Sequence, residues 1–222
     1  MNVLIGCEFS GIVREAFRQR GHEAWSCDLL PAEDDSPYHL QADLNYVLNY
    51  PDRVLGGRPR WMRDRQWDLL IAHPPCTYLC NSGVRWLYGG KGTTPNPERW
   101  RAMEAAAAFF GMLWAQRLIR IPKVCIENPI MHRHARDRIF GKTTNGTQTQ
   151  TIQPWQFGHP EIKATCLWLS DTLPALTPTN IVEGRIARVH RASPSPDRWK
   201  ERSRTLQGIA DAMAEQWGGL RV

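Results

Sequence analysis

The chain has 222 residues, a hydrophobic fraction of 42%, a formal charge of +6 and an isoelectric point near 9.2. A chain of this size can bury a sizeable apolar core within one domain, and it holds no eighteen-residue apolar run to cross a membrane. Met1-Asn2-Val3-Leu4-Ile5 enters a strand pattern at once, without the parts of a secretory leader, so a soluble, cytoplasmic protein with no membrane partner is expected.

Val3 to Gly6 reads as a short apolar strand, and Ile12 to Arg20 as a helix with Val13, Ala16 and Phe17 on one face. Ala24 to Cys27 reads as a second strand closed by Asp28. Strand, glycine-containing turn, helix, strand and acid is the opening of a nucleotide-type α/β fold. From Leu30 to Arg65 the pattern dissolves into Pro, Asp, Arg and Gly, with Gln41 to Leu44 as a brief ordered island.

Trp67 to Ala72 is a strand that feeds His73-Pro74-Pro75-Cys76. The prolines fix φ and carry no N–H, so they end the strand and restrict the direction of the next side chain. Cys76 then reads either as an aimed nucleophile or as a buried structural thiol. Asn81 to Pro97, with Gly83, Gly89, Gly90, Gly92 and two prolines, is expected to be a long loop able to close over a substrate.

Pro97 to Arg120 carries the strongest helix pattern. Pro122 to Ile126 is another buried strand, ended by Glu127-Asn128-Pro129, which places an acid at the same sheet edge. Thr143 to Gln153 alternates weakly, Ala164 to Leu169 reads as a strand, Leu173 to Ser203 is Pro-rich, basic and irregular, and Thr205 to Trp217 is an amphipathic helix.

Six scattered cysteines, Cys7, Cys27, Cys76, Cys80, Cys125 and Cys166, suit reduced thiols rather than a disulfide framework. Cys76 and Cys80 with His132 and His134 match no strong zinc template, so no metal is expected. The basic excess is clustered: Arg58 to Arg65, Arg133 to Lys142, and Arg185 to Arg204. With Trp61, Trp155 and Trp199 nearby, these clusters suit a phosphate backbone and unstacked bases, or simply a solvated basic face.

Taken in order, these pieces resemble the DNA cytosine methyltransferases that modify carbon 5 of the ring. Phe9-Ser10-Gly11-Ile12 looks like the family's Phe-x-Gly-x-Gly turn, Asp68 to Thr77 like its Pro-Pro-Cys block, and Glu127-Asn128-Pro129 like its Glu-Asn-Val block. Phe157 to Thr165 resembles the stretch Tyr-Gly-x-Pro-Gln-x-Arg-x-Arg, and Gln207-Gly208-Ile209-Ala210 sits where the family has Ile-Gly-Asn-Ala.

The resemblance implies a Rossmann-like, S-adenosylmethionine-dependent methyltransferase fold with a mostly parallel sheet and flanking helices. It implies one catalytic domain over residues 1–222, with 170–203 as a reduced target-recognition excursion and 204–218 as a helix returning to the cofactor site. A small phage- or mobile-element-like member acting as a monomer on double-stranded DNA is expected. Cys76 would add to carbon 6 of cytosine, because carbon 5 becomes nucleophilic only after that addition. Glu127, held protonated by its enclosed setting, would donate toward N3, with Asn128 beside it.

Phe9, Ser10, Gly11, Ile12, Asp28, Leu29, Asp43, Leu44, Pro75, Ile209 and Ala210 would contact S-adenosylmethionine, leaving S-adenosylhomocysteine as product. Read singly, Asp28 and Asp43 are equally turn residues or helix caps. Arg85, Arg185, Arg188, Arg191 and Arg198 would meet DNA, mostly at phosphates. The target base would be flipped from the duplex.

Three departures stand out. Val13 replaces a turn glycine, and His73 replaces a glycine, as a packed imidazole or a pocket residue. Lys163 and Thr165 replace two arginines, so either would have to hold the cytosine O2. The alternatives are the same chemistry on a pyrimidine nucleotide or RNA, and a non-catalytic nucleic-acid-binding protein on this fold.

Overall fold

A computed structural model describes residues 1–220 except 55, 58, 59, 65, 90, 91, 143–148, 189–192, 194, 196 and 197. The backbone runs β1 (Asn2–Gly6), α1 (Ile12–Arg18), β2 (Glu23–Asp28), β3 (His39–Gln41), α2 (Leu44–Asn49) and two short turns of helix, α3 (Pro51–Val54) and α4 (Arg60–Arg63). It continues through β4 (Leu69–Ala72), a 3-10 segment (Asn81–Leu87), a small hairpin of β5 (Tyr88–Gly89) and β6 (Thr94–Pro95), and α5 (Pro97–Ile119). Then follow β7 (Lys123–Asn128), α6 (Arg133–Phe140), β8 (Thr149–Ile152), β9 (Thr165–Leu169), α7 (Arg198–Ser203) and α8 (Gln207–Gly218).

Seven strands form one sheet in the order β3-β2-β1-β4-β7-β9-β8. β3, β2, β1, β4 and β7 are mutually parallel, while β9 runs antiparallel to both of its neighbours. Parallel strands covered on both faces must be apolar on both, which explains the unbroken runs Val3-Leu4-Ile5 and Leu69-Leu70-Ile71. Period-two alternation then divides them. Val3, Ile5, Leu69 and Ile71 pack beneath α1 and α8 with Phe17, Met213 and Trp217. Leu4 and Leu70 face the opposite layer, with Leu48 of α2 and Phe110 and Leu113 of α5.

Residues 30–65, expected to be largely irregular, contain β3, α2, α3 and α4. Leu44, Val47 and Leu48 are buried at helical spacing, and the Asp43 carboxylate caps α2 by accepting from the Asn45 N–H at 2.8 Å. Within the expected loop 81–97, the described residues form the 3-10 segment and the β5–β6 hairpin. Helix α6 is an element the sequence reading did not separate from its basic cluster. Its charges are partly answered locally, by Arg133–Asp137 at 3.4 Å and Arg138–Glu104 at 2.5 Å. Among the described residues no helix is long and apolar enough to cross a membrane.

Gly208 shows how closely α8 is set against the segment before β9. A Cβ built there would lie 1.9 Å from the Phe157 carbonyl oxygen, and the Gly208 N–H donates to His159 Nε2 at 3.0 Å. Gly208→Ala is therefore expected to displace the start of α8 and to destabilise the fold by about 1–3 kcal/mol. Thermal unfolding followed by circular dichroism should show Tm lower by several degrees. An unchanged Tm would mean that this contact is not tight in solution.

Candidate active site

The carboxyl ends of β1, β2, β4 and β7 meet at one sheet edge, where open α/β sheets hold their ligands. β4 ends at Ala72, and the His73 N–H still donates to the Gly6 carbonyl at 2.9 Å, one step past the strand. Pro74 and Pro75 then turn the chain, and the Cys76 carbonyl accepts from the Leu79 and Cys80 N–H groups at 3.0 and 3.1 Å. The turn is pinned from outside. His132 Nε2 bonds the Tyr78 carbonyl at 2.9 Å, and the Arg99 guanidinium donates to the Thr77 carbonyl at 3.1 Å while lying over the Tyr78 ring. A side chain on so fixed a turn is pre-positioned.

Cys76 and Cys80 share a hydrogen bond and one favourable site for negative charge. The bond from Cys76, the Ser82 hydroxyl at 3.1 Å and the Gly83 N–H hold the Cys80 thiol down to about 5, against burial. The Cys76 thiol is pushed up by the same bond, then by its burial and by Glu127. Of the two thiols, Cys80 is therefore the one whose charged form the site favours. Wild-type protein should show one thiol alkylated rapidly by iodoacetamide at pH 6.5, and Cys80→Ser should abolish that fast phase. A fast phase that persists in Cys80→Ser would place the thiolate elsewhere.

The register pairs Ala72 with Ile126, so the next residues, His73 and Glu127, lie side by side. His73 Nδ1 donates to Glu127 Oε2 at 2.9 Å, and the Thr205 hydroxyl donates to the same oxygen at 3.4 Å. Burial alone would raise the Glu127 carboxyl, but the His73 hydrogen bond and charge, with the charge of Lys163, hold it down to about 2. The His73 contact and charge thus work against the effect of enclosure on this carboxyl. Asn128 is buried with neither its amide NH₂ nor its amide oxygen partnered, and it does not line the cavity.

A cavity of about 1270 Å³ opens at this edge. One end is lined by Phe9, Asp28, Leu29, Asp43 and Leu44, and the other by His73, Pro75, Cys76, Cys80 and Lys163. Asp28 accepts from the Leu30 N–H at 2.9 Å, and burial raises its carboxyl. Asp43 is both cavity wall and helix cap.

Other expected contacts lie elsewhere. Ser10 borders a small adjoining space, not the main cavity. Gly11 has φ of 72°, and a Cβ there would strike the Arg14 guanidinium, so this glycine serves the turn. Ile12 opens α1 away from the cavity lining. Ile209 and Ala210 are buried in the layer shared with α1. Between the two candidates for the missing arginine, the structure separates the roles. The Thr165 hydroxyl is spent on the Lys163 carbonyl at 3.2 Å, whereas Lys163 lines the cavity with its Nζ bonded to the Arg204 carbonyl at 3.3 Å. Val13 is buried, and its N–H donates to Glu8 at 2.7 Å.

The arginines expected at DNA are mixed. Arg85 is exposed and lies over the ring of Trp86, which is 55% exposed at the cavity mouth. Arg185 stacks on Trp155, and Arg188 is paired with Glu161 at 2.9 Å, so both already have partners. Arg191 lies outside the described residues. Arg198 opens α7, whose Trp199 packs on Phe9 at 6.0 Å and whose Arg202 lines the cavity. Trp86 is a cavity residue that sequence reasoning missed, while Cys80, Trp199 and Arg202, also in the lining, were noted only for a zinc pattern or as part of the basic, tryptophan-flanked cluster. Only their nearness to Cys76 or to the basic cluster could have flagged them.

No protein-family profile and no curated protein matches the sequence. Solved structures do match. A protein encoded within an E. coli prophage and assigned as a DNA modification methyltransferase superposes with a TM-score of 0.50 at 14% identity, over 87% of this chain and 55% of its own. The methyltransferase EhMeth of Entamoeba histolytica matches at 0.44 and 12%, over 88% and 60%. A variant of Spodoptera frugiperda DNMT2 matches at 0.41 and 13%, over 82% and 54%. The chain thus spans 54% to 60% of the length of these proteins. The likeness establishes the fold: a Rossmann-like α/β domain with a mostly parallel sheet.

Proposed function

We propose that the chain is an S-adenosylmethionine-dependent DNA methyltransferase that modifies carbon 5 of cytosine through a covalent bond to Cys76. The observation that supports this most is one cavity with two chemistries. Cys76, Lys163 and His73 line one end, with Glu127 bonded to His73 behind the lining, and two acids on an apolar wall stand at the other.

The second end suits the cofactor. Asp28, at the close of β2, has one carboxylate oxygen committed to the Leu30 N–H and the other available for ribose hydroxyls. Asp43 and the faces of Phe9, Leu29 and Leu44 suit an adenine ring, with Pro75 between the two ends. When bound, S-adenosylmethionine would supply an electrophilic methyl group.

At the reacting end, the Cys76 thiol loses its proton to water in the cavity as its sulfur bonds to carbon 6 of the ring. Negative charge then builds toward N3 and is met by a proton from the Glu127 side, while the Lys163 ammonium donates to O2. After methylation the carbon 5 proton passes to water, its electron pair re-forms the ring double bond, and the carbon–sulfur bond breaks to release Cys76 as a thiolate. Arg85 and Trp86 at the mouth, with Arg202 and Arg198 of α7, suit a phosphate backbone beside an extruded base. The 34 residues from 170 to 203 are too few for a separate recognition core, which favours a short recognition sequence.

The test is to express the protein and measure modified nucleosides in host DNA by mass spectrometry. 5-Methylcytosine with wild type and none with Cys76→Ala supports the reading. Unmodified DNA alongside methylated RNA or pyrimidine nucleotides moves the chemistry to those substrates. No methylated product of any kind leaves a nucleic-acid-binding protein.

A further inference from the structure

His73 stands where the resembled family has a glycine, and neither the cofactor nor the nucleophile calls for an imidazole there. The sheet nonetheless holds it firmly. Its N–H is bonded to Gly6, and its ring is bonded through Nδ1 to Glu127, with side-chain exposures of 8% for His73 and 12% for Glu127. Its Nε2 is buried without a partner among the described residues, so Glu127 supplies the ring's side-chain contact there. A buried imidazole with one polar contact, made to the acid that must supply a proton, is poorly explained as packing.

We infer that His73 is a positioning residue that stores the proton which Glu127 passes to N3 of the target ring, so that Glu127 works as a relay rather than a standing acid. The inference rests on the methyltransferase reading above. As the Cys76 sulfur bonds to carbon 6, Glu127 takes the Nδ1 proton of His73, which becomes neutral, and passes that proton to N3, returning to a carboxylate. When the carbon–sulfur bond breaks, the N3 proton returns by the same path and the imidazolium is restored, with no net proton change at the pair.

The surroundings favour this resting state. Besides Glu127 on β7, the carboxylates of Glu8, between β1 and α1, and of Asp28, at the end of β2, face the ring electrostatically. Lys163 opposes them, and Cys7, Arg204 and Thr205 border the adjoining space. Burial disfavours the charged ring, yet Glu127 and Glu8 together raise His73 above its ordinary value.

Two measurements test the relay. The first follows the covalent adduct formed with 5-fluorocytosine-substituted bacterial DNA and S-adenosylmethionine from pH 6 to pH 9, in wild type, His73→Asn and His73→Gly. Both variants should lose the adduct more steeply on the alkaline side, with the ratio of rates at pH 8 and pH 6 at least tenfold below wild type. The second follows the His73 imidazole by NMR, identified by its absence in His73→Asn. Glu127→Gln should move its titration below 6.5, since burial then acts without its partner.

Parallel pH profiles in the three proteins, or a His73 titration unmoved by Glu127→Gln, overturn the relay while leaving methyl transfer intact. A wild type that forms no adduct at any pH removes the methyltransferase reading itself and the relay with it. Because the NMR arm needs no activity, it separates a failed pair from a failed enzyme, and His73→Gly supplies the identification should His73→Asn not fold.

Discussion

Cys76→Ala is expected to remove 5-methylcytosine formation almost entirely, with a loss on the order of 10⁴-fold or more, the scale seen when a covalent nucleophile is deleted. Without a sulfur to add at carbon 6, carbon 5 stays unreactive however well the cofactor and base are held. The effect should be chemical rather than structural. Cys76 is only half-buried on a turn held by backbone bonds that alanine also makes, and substitutions outside the core cost little stability.

The same variant decides between two thiols. Cys80 lies in the same cavity and carries the lower pKa in wild type, and in Cys76→Ala it keeps the Ser82 and Gly83 contacts but loses the Cys76 bond that lowers it most. A stabilised thiolate is intrinsically both the weaker nucleophile and the weaker base, so neither role is assigned to Cys80. Trapping with 5-fluorocytosine DNA should therefore give an adduct on Cys76 in wild type and none in Cys76→Ala. A full-yield adduct in Cys76→Ala would transfer the nucleophile to Cys80.

Why Cys76 and Glu127 were legible in sequence, and the rest was not, follows from local chemistry. A buried parallel strand needs an unbroken apolar run, and an acid or a Pro-Pro turn at its end is visible in a handful of adjacent residues. Leu69 to Cys76 and Val124 to Glu127 both have that form. The His73–Glu127 bond depends instead on strand order: β4 and β7 are separated by 50 residues from Ala72 to Lys123 and meet only in the sheet. Nothing near His73 in sequence announces its partner.

Ile209 and Ala210 fail for a related reason. Their block resembles a cofactor-contacting one, but the apolar stripe of α8 is directed at α1, and both side chains are consumed by that packing. Helix α2 was hidden because Asp43 and Asn45 look like turn residues, although a capping acid before Leu44, Val47 and Leu48 is itself a helix-start signal. The choice between Lys163 and Thr165 needed the alternation of β9, which begins at Thr165 and turns that hydroxyl back onto its own chain.

Glu127→Gln should lower methyl transfer by about 10²- to 10⁴-fold, the usual worth of a positioned proton donor. An amide can still hydrogen-bond the ring, but it cannot pass on the His73 proton. The variant also carries a signature in stability that does not depend on catalysis. Glu127 is held below its ordinary value of 4.5, at about 2, so its contribution is present above 4.5 and is lost as pH falls toward 2. His73 is held above its ordinary value of 6.5, so its contribution is complete below 6.5 and is lost as pH rises through the raised value. The pair therefore supports the fold most strongly between pH 4.5 and 6.5. Thermal unfolding of wild type should show this advantage over Glu127→Gln at its largest in that window, shrinking on both sides. In the variant, burial acts on His73 without its first partner and moves its titration down. A Tm difference that stays constant from pH 4 to pH 9 would show that the two groups do not share a proton. Glu127 would then be left to meet the ring as a carboxylate, a form that cannot donate to N3.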